Sequence, residues 1–148
     1  MPAPLQVSAV RSRIARLLFA TTVVYMLVLV CATHYPKPEQ LLPPDAPSDK
    51  TLHLLAYGLL ALLAGAATAT AGRWVPGTVG SLVAGLVAFA ALDEVTQPLF
   101  PPRTADLLDW AADFVGIAVG LGGIAIGVAI VSRLRPASAQ RQLGVGAR

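Results

Sequence analysis

Four apolar runs divide this chain, and each is bounded by prolines, glycines or charges. Leu17 to Tyr35 carries no formal charge and has Arg16 at its foot. Thr51 to Gly72 is broken only by His53 and Tyr57. Trp74 to Leu92 and Phe114 to Ser132 are uncharged throughout. Each run is close to the ~20 residues needed to cross ~30 Å of hydrocarbon at ~1.5 Å per residue. The pattern therefore predicts four transmembrane helices. A signal peptide competes for the first run, because a basic segment precedes it. Val30 stands before Cys31 where a lipoprotein site expects a small residue, and no small-x-small cleavage site follows, so a retained helix is the expectation.

The punctuation between the runs fits. Residues 36–48, PKPEQLLPPDAPS, hold five of the twelve prolines and read as an extended loop. Ser48 is the expected N-cap of the second helix, with Asp49 in its first turn. Gly72 is the expected stop. The turn around Arg73 and Trp74 makes helices two and three antiparallel neighbours, and Pro76 suits the first turn of helix three. Asp93, Glu94 and Gln97 close that helix, with Pro98 helping to end it. PLFPPR, residues 98–103, forms a stiff loop, and Thr104 is the expected cap of helix four. Arg133 and Arg135 mark the exit, and Pro136 ends the helix. The expected organisation is a basic tail over 1–13, a four-helix membrane domain over 14–132, and a disordered basic tail over 133–148.

Charge orients the bundle. Arg11, Arg13, Arg16, Arg73, Arg133, Arg135, Arg141 and Arg148 fall on one side, against Lys37, Lys50 and Arg103 on the other. The positive-inside rule makes the first side cytoplasmic. The fold class is thus all-α: a polytopic membrane protein with four transmembrane helices in an antiparallel bundle, N-in and C-in. Composition agrees. Among 148 residues only 13% are charged, against roughly 25% in soluble domains. The net charge of +3 does not indicate nucleic acid, because the basic residues flank the membrane rather than form one patch. The expected partner is the lipid bilayer. Cys31 stands alone, so no intramolecular disulfide is possible.

Candidate chemistry concentrates in residues 91–120, which hold five of the eight acids. Intramembrane and membrane-flanking charges usually mark function or a specific pairing. Residues three and four apart share a helix face. On helix four, Asp106, Asp109, Asp113, Gly116, Gly120, Gly123 and Gly127 keep that register. The glycines form two GxxxG pairs, which predict close helix packing along the stripe. On helix two, Lys50, His53 and Tyr57 share a face with Leu60 and Ala64. On helix three, Glu94 and Gln97 share a face with Ala91, Ala84 and Gly80. The candidate polar site is Asp49, Lys50, His53, Asp93, Glu94, Gln97, Arg103, Asp106, Asp109 and Asp113. Six of these are acids, against two fixed cations, so some carboxylates must face water, share protons or receive a cation.

These residues carry a likeness. Asp49-Lys50-x-x-His53, then Asp93-Glu94-x-x-Gln97-x-x-Phe100-x-x-Arg103, then Asp109-x-x-x-Asp113-x-x-Gly116-x-x-x-Gly120, resembles the VanZ-like membrane family over about residues 12–132. The family pattern has asparagine at the position of Asp113. The resemblance implies a multi-pass protein of the bacterial plasma (inner) membrane and cell envelope. The family is named for a member that raises resistance to the glycopeptide antibiotic teicoplanin.

Several readings stay open. His53 with the acids suits divalent ions. A single histidine without a paired partner at metal-ligand spacing favours an ion pair or capping network, so no metal and no cofactor is assigned. Glu94 and Asp109 are candidates for an acid/base pair, or for neutralisation by Lys50 and Arg103. Arg103 could take a phosphate or carboxylate through its fork. Tyr57 reads as an interfacial anchor and His34 as a solvated loop residue. The sequence contains no P-loop, nucleophile elbow, HExxH or cysteine-rich framework. One function class is a non-enzymatic envelope protein that binds a cell-surface component or envelope protein at an acidic external site. The other is an enzyme acting by acid/base or metal-assisted chemistry on a lipid-linked envelope precursor. A proton or cation pathway is disfavoured, because the apolar inner half offers no relay of ionisable groups.

Overall fold

The computed structural model describes residues 4–37, 40 and 42–134. Its four helices are α1 (Pro4–Thr33), α2 (Asp49–Thr70), α3 (Pro76–Thr96) and α4 (Leu107–Leu134). A short 3-10 turn, Gln97–Leu99, follows α3, and the described residues contain no strand. All four helices are long and apolar enough to cross a bilayer. Their outward faces carry exposed Leu17, Phe19, Val24, Leu27, Leu92, Val119 and Ile126. Such side chains suit lipid contact.

The first helix starts earlier than its apolar run. Pro4 to Arg13, expected as a tail, is helical and continuous with the span. No proline or glycine interrupts the stretch from Leu5 to Tyr35, and proline is well tolerated in a first turn. Arg11 also anchors this extension, donating from Nε to the Thr70 carbonyl at 2.7 Å. That contact caps the C-terminus of α2 with a cation. At the other end of the chain α4 runs to Leu134. The expected C-terminal tail beyond it, with Arg135, Pro136, Arg141 and Arg148, lies outside the described residues.

Local signals explain the helix ends. Ser48 caps α2, its hydroxyl accepting from Thr51 N. Gly72 ends α2 at φ 75°, a conformation costly for any side chain. The N–H groups of Gly72 and Arg73 reach back to the carbonyls of Ala69 and Thr68, a Schellman closure. Pro76 opens α3. Helix four is capped by Asp106 rather than Thr104. The Asp106 Oδ1 accepts from Leu108 N at 2.8 Å, and aspartate caps at least as well as threonine.

The tightest pair is α2 with α4, while α1 lies along α2 and α3 along α4. Helices α2 and α3 run antiparallel as expected but touch only sparsely, although a short turn joins them. Close approach needs small residues in register, and α2 meets those on α4. A Cβ on Gly116 would run into the Leu54 carbonyl and stand 2.9 Å from Gly58 N. One on Gly120 would lie 2.5 Å from the Gly58 carbonyl oxygen. The second GxxxG pair does not pack this way. Gly123 and Gly127 are exposed, and a Cβ on Gly127 would meet nothing within 4 Å. The register is kept, but at that depth α4 meets α2 through Leu121 and Ile124 against Gly65 rather than through its glycines. On α3 the buried face is Leu86, Ala90, Asp93 and Glu94, continuing into Gln97, not the expected Gly80 and Ala84.

The apolar core gathers Leu29, Tyr57, Leu60, Ala61, Leu86, Ala90, Ile117 and Leu121. Below it the bundle opens. A cleft of about 850 Å³ separates α1, α2 and α3, lined in part by Arg11, Arg16 and Arg73. The chain alternates direction, so both described termini lie at this basic end. The start of α2, the end of α3 and the start of α4 meet at the opposite end.

Candidate functional site

Those helix ends bring the acids together. Asp93, Glu94, Asp109 and Asp113 are buried, as are His53 and Gln97. A buried carboxylate requires partners, and each of these four has a distinct set.

Asp93, from α3, accepts from Tyr57 of α2 at 2.9 Å and from Thr33 of α1 at 3.0 Å. The His34 ring stands 3.5 Å away and bonds through Nε2 to Thr96 at 2.9 Å. This one carboxylate therefore ties three helices. Tyr57 is fully buried rather than interfacial, and His34 is 10% exposed rather than solvated. Both correct the sequence expectation. The end of α1 lies at the same depth as the other polar helix ends, which explains why a residue just past it is drawn in.

Glu94 receives only neutral donors. Gln97 Nε2 donates to its Oε2 at 2.7 Å, and the Asp106 backbone N–H donates to its Oε1. Among the described residues Arg103 pairs with no acid, Glu94 included. Its Nε and Nη2 both donate to Gln97 Oε1, at 3.1 and 2.7 Å. The amide thus stands between guanidinium and carboxylate and is polarised by both. This network folds the 98–106 loop back over the end of α3.

Lys50 at the start of α2 bridges to α4, reaching Asp106 Oδ2 at 2.9 Å and Asp109 Oδ1 at 3.1 Å. Asp106 lies outside the spans and is partly exposed. The Lys50 ammonium and the Leu108 N–H hold its carboxyl below the usual aspartate range. Asp49 is exposed at the rim, within reach of His53 and Asp109.

Deeper between α2 and α4, His53 Nδ1 meets Asp113 Oδ1 at 2.9 Å. The imidazole is 5% exposed and the carboxylate 1%. Among the described residues no hydrogen bond engages His53 Nε2. The other carboxylate oxygen, Asp113 Oδ2, is buried without any hydrogen-bond partner, and Trp110 Nε1 shares that condition. Beside the network a pocket of about 260 Å³ opens between α1, α2 and the loop, lined by Leu29, Leu42, Leu52, Asp49, His53 and Arg103 among others.

The structure thus brings Lys50, His53, Asp93, Glu94, Gln97, Arg103, Asp106, Asp109 and Asp113 to one polar end in three hydrogen-bonded groups, one around Lys50, Glu94 and Gln97, one pairing His53 with Asp113, and one around Asp93, with Asp49 at the edge. It adds Thr33, His34, Tyr57 and Thr96. Chemically, the network offers a buried imidazole oriented by a carboxylate, a second carboxylate held by amides, and a guanidinium at the pocket wall. Comparison of the chain with protein-family models, curated proteins and solved structures returns no match.

Proposed function

We propose that this chain is a VanZ-like integral membrane protein of the bacterial cell envelope that binds an amphiphilic envelope component at its polar end. In this reading the polar end faces outward, with N-in, C-in topology in the plasma membrane. The observation that carries it is the pocket beside the network. Its Leu29, Leu42, Leu52 and Ala56 offer an apolar wall, while Arg103, His53 and Asp49 offer polar groups at one side. Apolar lining with a few placed polar groups is what ligand sites share. The ordered motif from Asp49 to Gly120 supports the family reading, and with it a role in teicoplanin susceptibility.

The test is expression in a glycopeptide-sensitive Gram-positive host, with membrane abundance matched by immunoblot. Wild type is expected to raise teicoplanin tolerance. Glu94→Gln and Asp109→Asn are expected to lose that effect at equal abundance. No protection by abundant wild-type protein overturns the resistance role.

A second reading is an enzyme acting on a lipid-linked envelope precursor. It is favoured by the His53–Asp113 pair, in which a carboxylate orients an imidazole whose second nitrogen bonds to none of the described residues. That reading expects a changed precursor profile on expression, abolished by His53→Gln.

A further inference from the structure

We infer that His53, Glu94 and Asp113 form a binding site for one divalent first-row transition cation of the zinc or manganese type. The ligands come from three helices, and no pair of them has a metal-motif spacing in sequence. Tertiary packing alone assembles them. One donor atom from each lies within 4.8 Å of the other two, and all three residues are buried.

The second observation is the orphan oxygen. Asp113 is 1% exposed, its Oδ1 meets His53, and its Oδ2 has no hydrogen-bond partner. A buried carboxylate oxygen without a donor is costly, and it sits on a residue whose neighbours already supply two further ligands. The third observation is where the fixed cations go. Lys50 is spent on Asp106 and Asp109, and Arg103 on Gln97. Among the described residues, His53 is the one cationic group bonded to Asp113, and no cation is bonded to Glu94. A dication with a neutral imidazole balances two carboxylates, which a protonated imidazole alone does not.

The surroundings are of the kind that hold ligands in place. Gln97 and the Asp106 N–H fix both Glu94 oxygens, and Arg103 fixes Gln97. Outer-shell hydrogen bonds of this sort orient metal-binding carboxylates. One nitrogen and two oxygen donors suit zinc or manganese better than a thiophilic ion. Ligands of a tetrahedral ion stand about 3.5 Å apart, so binding draws the three side chains slightly together. It would clamp α2, α3 and α4 at one point. This inference needs no envelope ligand and stands or falls separately from the envelope role.

The experiment uses the full chain, purified in detergent micelles, stripped by chelator and titrated separately with zinc and manganese. Elemental analysis is expected to give one ion per chain, and thermal melts are expected to rise with ion concentration, as for a ligand that binds only the folded state. Asp113→Asn and Glu94→Gln should each weaken binding at least tenfold, while Asp45→Asn, outside the network, should not. X-ray absorption of the zinc-loaded wild type should show one imidazole nitrogen among oxygen ligands, and this reads the site even if a variant fails to fold. The inference is overturned by no retained ion, or by an adventitious ion only, with binding indifferent to Asp113. It is also overturned if affinity follows Asp49 and Asp109 instead, or if an infrared band shows Asp113 protonated and unchanged by added metal.

Discussion

Along one face of α4 the same glycine spacing occurs twice, and the two halves behave differently. Gly116 and Gly120 press against the α2 backbone at Leu54 and Gly58, while Gly123 and Gly127 are exposed. The difference lies in what stands next to each pair. The outer pair continues from Asp109 and Asp113, which Lys50 and His53 pull onto α2. The inner pair has no polar bond to α2, and a cleft of about 620 Å³ opens there between α2 and α4. In lipid, apolar surface gives little drive for helices to associate, so packing and polar bonds decide where they meet. The lesson is that a GxxxG spacing permits close approach, and a second interaction determines whether it happens.

The largest expected effect comes from cutting the bond that pins the outer half. His53→Leu leaves Asp113 without its partner, and breaking a buried pair in this way costs about 3–5 kcal/mol. Reversible unfolding in mixed micelles should show that loss, while His53→Gln, which keeps a donor, should recover part of it. Next is Tyr57→Phe, which removes one of the donors to Asp93. A lost hydrogen bond to a charged group is worth about 1.5–3 kcal/mol, readable in the same assay.

The glycine pairs give the direct contrast. Gly116→Ala forces α4 off the Leu54 carbonyl and should destabilise by about 1–3 kcal/mol, the usual range for overpacking. Gly127→Ala meets open space and should be neutral or stabilising by up to about 1 kcal/mol through helix propensity. Equal losses at both positions would break the comparison.

The smallest effect is at the exposed rim. The Asp106 carboxyl is held below its ordinary range by Lys50, so it favours the folded state above the usual aspartate pKa of about 3.9. That contribution fades as pH falls through the lowered value. Thermal melts of wild type and Asp106→Asn should differ slightly at neutral pH, less in high salt, and converge in strong acid.

Parts of the site were legible because helix periodicity is local. Spacing alone places His53 with Tyr57 and Glu94 with Gln97, and the shared depth of helix ends points to convergence of Lys50, His53, Glu94, Gln97, Arg103 and Asp109. The pairings were not legible. Charge alone offers Lys50 both Glu94 and Asp109, and it takes Asp109 with Asp106. For Arg103 the residue types leave a phosphate, a carboxylate ligand or an internal acid open, and it holds Gln97. The burial of His34 and Tyr57 is not legible, because burial near a helix end depends on a neighbouring helix that periodicity does not identify.

The sequence by itself determined the four apolar helices, their ends at Ser48, Gly72 and Pro76, and the segregation of the acids from every arginine but Arg103. These follow from hydrocarbon thickness, backbone capping and the small sequence distances over which helices are specified. Only the tertiary structure decided that α4 rather than α3 lies tightest on α2, which glycines pack, and which carboxylate oxygen is left unpaired. Those outcomes depend on the relative depth, rotation and divergence of helices far apart in the chain. A rotation small enough to leave every helical face intact still changes which side chains meet.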